Sequence, residues 1–251
     1  MAELIEAGVR VRFACDYLGP RETSDDAGAA TLAAAVTELD ALGCCPPLND
    51  GLAAGNAAVR TAQGGLLVTP SGRTPGRLAP REIVEIVDVD LDGWRVGYRA
   101  HAAKLRPTSD TMFHLAVLQT AWGDRAPAAS LHGHVLEDAE DARHLGLPCS
   151  LEETIFSTPA DYEATLQLLR GAPYPAHHAW IRRGHGFIAA HEDLSRALAV
   201  VRDLLRRRRL DPGHRPAHLP ARHRAAPHRP HGPLRDALGR SRRGRRPPRL
   251  R

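Results

Sequence analysis

Short apolar stretches alternate with segments of helical spacing along most of the chain, and turn-forming residues mark nearly every boundary. Ser24 is placed to cap a helix running to about Leu42, with Leu32, Val36 and Leu39 on one face and Gly43 as its stop. "GLLVTPSG" predicts a short strand that ends in a turn, and "REIVEIVDVDLDGWRVGYR" predicts two strands joined at Asp92-Gly93. "TSDTMFHLAVLQTAWG" predicts a helix starting near Thr108 or Ser109, and "PAASLHGHV" a strand of small residues. In "STPADYEATLQLLRG", Thr158 caps a helix, Pro159 enters its first turn and Gly171 stops it. "HHAWIRRGHGFIAA" reads as a strand interrupted by Gly184 and Gly186, and "EDLSRALAVVRDLLRRRR" as a final amphipathic helix. Strands and helices mixed from one end to the other, with no internal repeat, predict one α/β domain over residues 1–210 with helices on both faces of a sheet.

The pattern stops at residue 211. Residues 211–251 hold eight prolines, five histidines and few large apolar side chains, too little to offset the entropy of ordering, so a disordered tail is expected. The tail also changes the meaning of the charge. Its twelve arginines and two acids give a local +10, which leaves −5 for residues 1–210 out of the chain's +5. The basic character therefore belongs to the tail. Without aromatic residues for base stacking, the tail offers nucleic acid only non-specific electrostatic contact. One lysine, Lys104, against 33 arginines fits GC-rich coding, and the tail has the composition of GC-rich DNA read in another frame.

Four cysteines, Cys15, Cys44, Cys45 and Cys149, form no CxxC pair, which excludes a thiolate zinc site or a disulfide framework. No apolar run reaches the roughly 18 residues of a membrane helix, and "MAELIEAGVRVRF" lacks the apolar centre of a signal peptide. A cytoplasmic protein with no membrane association is expected.

Three groups of residues carry candidate chemistry. His132 and His134 in "SLHGHVLED" stand two apart, so on a strand their imidazoles share a face, as two ligands of one metal would. That pair alone fits metal binding and ordinary strand histidines equally well. A third imidazole, His185 in "RRGHGF", lies between glycines that let the backbone bend close to another element. Three neutral imidazoles and an open position are the donor set of a catalytic zinc site. In "LRPTSDTMFH", Thr108, Ser109 and Asp110 sit at a helix start, a pattern that serves simple capping and also an anion site. Gly55-Asn56 and Ser71-Gly72 are turn formers by local pattern, and they are also potential donors around a phosphate.

Taken in order, "AAGNAAVR", "LLVTPSGRTPGRL", "EIVEIVDVDLDG", "LRPTSDTMFH", "LHGHV" and "RRGHGF" resemble the class II aldolase/adducin family from about Gly51 to Leu205. Its members include sugar-phosphate aldolases, a 4-epimerase and methylthioribulose-phosphate dehydratase. The resemblance implies a three-layer domain whose central sheet is mixed or antiparallel. It implies one Zn2+, or another divalent metal, on His132, His134 and His185, and an acid/base at Asp110. It further implies a substrate phosphate held by Asn56, Ser71, Gly72, Thr108 and Ser109. The activity implied is zinc-dependent aldol-type cleavage of a small ketose phosphate through an enediolate. A dehydratase or 4-epimerase on the same metal, or a non-catalytic adducin-like binding protein, stand as alternatives. A homo-oligomer, a tetramer by resemblance, is the expected assembly. Three positions depart from the family pattern. Asp110 replaces a glutamate and shortens the reach of the acid by one methylene. Ala58 replaces a serine, which removes a hydroxyl expected in the pocket. "RAPAAS" has small residues where larger apolar ones are usual.

Overall fold

The computed structural model describes residues 11–22, 26–48, 50–119 and 126–210. The 211–251 tail and Ser24, the expected first cap, lie outside the described residues. Among the described residues eight strands form one sheet: β1 (Ala14–Tyr17), β2 (Asn56–Arg60), β3 (Leu66–Val68), β4 (Val84–Asp90), β5 (Arg95–Arg99), β6 (Ala129–Gly133), β7 (Ala179–Arg182) and β8 (Gly186–His191). Their spatial order is β1-β5-β4-β3-β2-β6-β8-β7. Only β1 and β5 run parallel; the other neighbours are antiparallel.

The period-2 alternation of the strands sorts their side chains into two apolar layers. Ala57, Leu67, Leu131, Ile181, Phe187 and Ala189 face α1 (Asp26–Ala41), α3 (Ala139–Leu145) and α5 (Leu194–Leu210). Their sequence neighbours Ala58, Leu66, Val68, Trp180, Ile188 and Ala190 face α2 (Thr111–Gln119) and α4 (Pro159–Gly171). The mixed α/β sheet with helices on both faces is the expected architecture.

Local chemistry explains most boundaries. Thr158 Oγ1 accepts from Asp161 N–H at the start of α4, with Pro159 in the first turn. Asp138 accepts from Glu140 and Asp141 N–H to cap α3, a helix that the sequence pattern did not reveal. Gly43 follows α1 with φ of 77°. Other expectations need correction. Gly171 is the last residue of α4 and not a left-handed stop; Ala172 follows it with φ of −143°. The β4–β5 connection is a loop over residues 91–94. Asp90 Oδ1 accepts from Gly93 N–H, and Trp94, not Gly93, takes positive φ. Asn56 opens β2 instead of lying in a turn. "HHAWIRRGHGFIAA" is a hairpin, β7–β8, and not one interrupted strand: Arg182 pairs with Gly186, and residues 183–185 form the bend.

That hairpin needs a glycine for a steric reason. Gly186 has φ of 144°, and a Cβ there would lie 2.2 Å from Gly133 O and 2.9 Å from His132 Cε1. A Gly186→Ala exchange therefore forces β8 away from β6. The strained backbone alone is expected to cost about 1–3 kcal/mol, and the backbone clash adds to it, read as a lower urea midpoint at unchanged slope.

Candidate metal centre

The sheet brings its functional side chains to one end of three neighbouring strands. In β6, His132 pairs in register with Asn56 of β2 on one side and with Ile188 of β8 on the other. His134 lies one residue beyond the end of β6, so the shared strand face extends only to His132. The bend beyond β6 still brings His134 Nε2 within 3.0 Å of His132 Nε2. His185 is the last residue of the β7–β8 bend, and its ring centroid lies 4.8 Å from that of His132. One ligand atom from each of His132, His134 and His185 falls within 4.8 Å of the others.

Asp110 completes the cluster from the helix layer that covers the same face of the sheet as His132. It directly precedes α2, which starts at Thr111 and not near Thr108 or Ser109, and its carbonyl accepts from His114 N–H, so it caps the helix. The carboxylate is 3% exposed. Its Oδ1 stands 3.3 Å from His185 Nε2 and its Oδ2 3.9 Å from His132 Nε2. Asn56 Nδ2 donates to Oδ2 at 2.5 Å. Burial alone would raise the Asp110 pKa. His185 first, then His132 and Asn56, override burial and hold the carboxyl well below its usual range.

The donor set fits a divalent metal. Phe187 O takes the Nδ1–H of His132 at 2.8 Å, which leaves a lone pair on Nε2, the atom that faces His134. Desolvation lowers the His132 pKa to about 4 and pulls that of His134 well below the usual imidazole value. With the His132 Nε2 lone pair facing it at 3.0 Å, a neutral His134 donates its Nε2–H across the gap, and moving that proton to Nδ1 frees both lone pairs for a shared cation. His185 is different. Burial lowers its pKa, but Asp110 and then Asp161 outweigh this and push it up to about 10.

One residue of the site escaped the sequence reading. His114, one helical turn after Asp110, has no exposure. Its Nε2 lies 2.6 Å from Asn56 Oδ1 and its Nδ1 2.6 Å from Ser130 Oγ. Because Asn56 Nδ2 donates to Asp110, Asn56 Oδ1 accepts, and His114 Nε2 carries the proton. Ser130 then donates to Nδ1. Desolvation lowers the His114 pKa to about 3 and keeps the ring neutral. The i, i+4 spacing from Asp110 was the available signal.

The expected phosphate residues are placed in two groups. Pro70 and Pro107 form an antiparallel bridge, and Ser71 N–H donates to Arg106 O and Thr108 N–H to Thr69 O. The Ser71-Gly72 turn therefore lies against the 106–109 segment. Ser71 and Ser109 are half-buried, Gly72 is exposed and Thr108 is buried. Asn56 is buried, with its amide between Asp110 and His114. Ala58 is fully buried in the core opposite Ser130, so its missing hydroxyl opens no gap at the surface.

Comparison with known proteins follows the same line. The profile described as Class II Aldolase and Adducin N-terminal domain matches residues 31–206. No curated protein matches the chain. Among solved structures, an L-fuculose 1-phosphate aldolase superposes with a TM-score of 0.53 at 18% identity, covering 74% of this chain and 85% of that one. YgbL from Klebsiella pneumoniae, a proposed aldolase/epimerase/decarboxylase, gives 0.54 at 18% identity, covering 72% and 86%. YgbL from Escherichia coli gives 0.51 at 19%, covering 72% and 86%. At these identities the structures show a shared fold.

The protonation pattern has a measurable consequence. His185 is protonated below about pH 10, whereas His132 is neutral above about pH 4 and burial likewise keeps His134 neutral at pH 7, so at pH 7 only His185 must lose a proton to bind metal. Calorimetric zinc titration in buffers of different ionisation enthalpy should show about one proton released per ion. Affinity should strengthen by about tenfold per pH unit as pH rises toward 9.

Proposed function

The chain belongs to the class II aldolase and adducin family, and from that membership we propose that it is a metal-dependent lyase that cleaves a C–C bond in a small ketose phosphate. The observation that carries this reading is the convergence of His132, His134 and His185 on one point with Asp110 beside it. His132, His134 and His185 would hold one divalent ion, zinc by the all-imidazole donor set. When bound, the ion supplies Lewis acidity to the substrate carbonyl and neighbouring hydroxyl oxygens, where negative charge develops as the bond breaks.

The protein's own groups do the rest. Asn56 occupies Asp110 Oδ2, so Oδ1 is the oxygen available to move a proton. The relay from Ser130 through His114 to Asn56 fixes the direction in which Asn56 points its amide. Asp110 is ionised, the form that a base requires. The half-buried Ser71 and Ser109 and the exposed Gly72 backbone would hold the substrate phosphate, with Thr108 in the segment beneath. The short Asp110 side chain still reaches the imidazoles because its residue caps α2 at the sheet end. Dehydration by β-hydroxyl expulsion, or 4-epimerisation by cleavage and rejoining, uses the same groups and ranks second. An oligomer is part of the proposal through family resemblance alone.

Two variants test the assignment in the full chain. His134→Ala is expected to lower bound zinc from about one ion per chain beyond the tail's contribution to none, measured by elemental mass spectrometry against the unaltered chain. Asp110→Asn should retain the zinc but lose about 10²–10⁴-fold in turnover of a cleaved ketose phosphate. Equal turnover in the Asn variant would remove Asp110 from the chemistry.

A further inference from the structure

A second carboxylate lies on the side of His185 that turns away from Asp110. Asp161, in the first turn of α4, is 2% exposed, and its Oδ1 stands 3.9 Å from His185 Nδ1. Thr154 Oγ1 donates to the same oxygen at 2.8 Å, and Arg182 Nη2 donates to it as well. Arg182 Nη2 also reaches Thr154 Oγ1, which closes a three-residue ring of contacts. Arg182 has no exposure. It ends β7 in register with Gly186, so it belongs to the same hairpin as His185.

Such a pair is poorly explained by stability. Removing both charges from water costs several kcal/mol per ion, and apolar residues of similar volume often serve the fold as well or better. The orientation of the pair explains it. His185 Nδ1 is buried and has no hydrogen-bond partner among the described residues. A histidine that offers Nε2 to a metal keeps its proton on Nδ1, and that N–H is nearly always given to a carboxylate or carbonyl. For His132 the acceptor is Phe187 O. For His185, Asp161 is the acidic group on the Nδ1 side, since Asp110 faces Nε2.

We propose that Asp161, anchored by Arg182 and Thr154, is the positioning residue of His185: it accepts the Nδ1–H, reserves the Nε2 lone pair for the metal and strengthens it as a donor. The inference rests on the metal reading above. His185 Nε2 stands 3.3 Å from Asp110 Oδ1 and Nδ1 3.9 Å from Asp161 Oδ1, so a small rotation of the ring would bring Nδ1–H to hydrogen-bond distance of Asp161.

The test uses the full chain, labelled with ¹⁵N-histidine and loaded with zinc. Two-bond ¹H–¹⁵N correlation should show a slowly exchanging, downfield Nδ1–H for His185. Asp161→Asn should shift that resonance and raise the zinc Kd by about 10–100-fold, measured by chelator competition. Because the single exchange leaves Arg182 without its counter-ion, Asp161→Asn/Arg182→Leu, which removes both charges, is read beside it and should show the same weakening. A folded variant with the wild-type Kd and an unchanged Nδ1–H signal would overturn the assignment, even if its unfolding temperature fell, since that is the signature of a purely structural pair. If the unaltered chain takes up no more zinc than its His134→Ala form, the metal reading itself fails and this inference with it.

Discussion

A carboxylate taken out of water at Asp110 is the constraint around which this end of the molecule is organised. An ionised group at that depth costs several kcal/mol unless donors and positive charge surround it. The fold supplies them from four places. Asn56 comes from the start of β2, His132 from β6, His185 from the β7–β8 bend, and the capping geometry from α2. Asn56 is itself held by His114, and His114 by Ser130. One buried charge thus ties three strands and a helix together, and it does so where the antiparallel pairing of β2, β6 and β8 already aligns the strand ends.

The two ionised acids divide the histidines by role. His132 is backed by a neutral carbonyl and is itself neutral, whereas His185 lies between Asp110 and Asp161 and holds a proton until something displaces it. A divalent cation is the natural displacing agent, because it satisfies the lone pairs of His132 and His134 and the charge of Asp110 together. The burial that makes Asp110 costly also strengthens every electrostatic interaction around it.

Much of the architecture was legible because its signals are local. Thr158-Pro159 marks the start of α4, and Gly43 ends α1. The strand alternation of β4 and β5 was equally plain. The hairpin was harder. Gly184 and Gly186 look like interruptions in one strand, and only the close approach of Gly186 to β6 explains why the chain reverses there. α3 was hidden because seven residues carry too little periodicity. For the site, His132, His134, His185 and Asp110 followed from order and spacing together with family resemblance. The shared face of His132 and His134 was argued from a strand that stops at Gly133, and the bend beyond it achieves the same meeting of nitrogens. Asp161 acts through charges to residues distant in sequence, so no motif points to it, and for His114 the i, i+4 spacing from Asp110 was the one local signal. Arg182 lies in the stretch that reads as one interrupted strand, without a local signal of its own, and is fully buried.

The central claim is that three imidazoles form one metal site, and the most direct measurement is a zinc-edge anomalous difference map from crystals of the zinc-loaded chain. The account predicts one strong peak bonded to His132 Nε2, His134 and His185, at roughly 2.0–2.1 Å from each nitrogen, with Asp110 Oδ1 beside it. Zinc found only elsewhere, with no peak among the three rings, would contradict it.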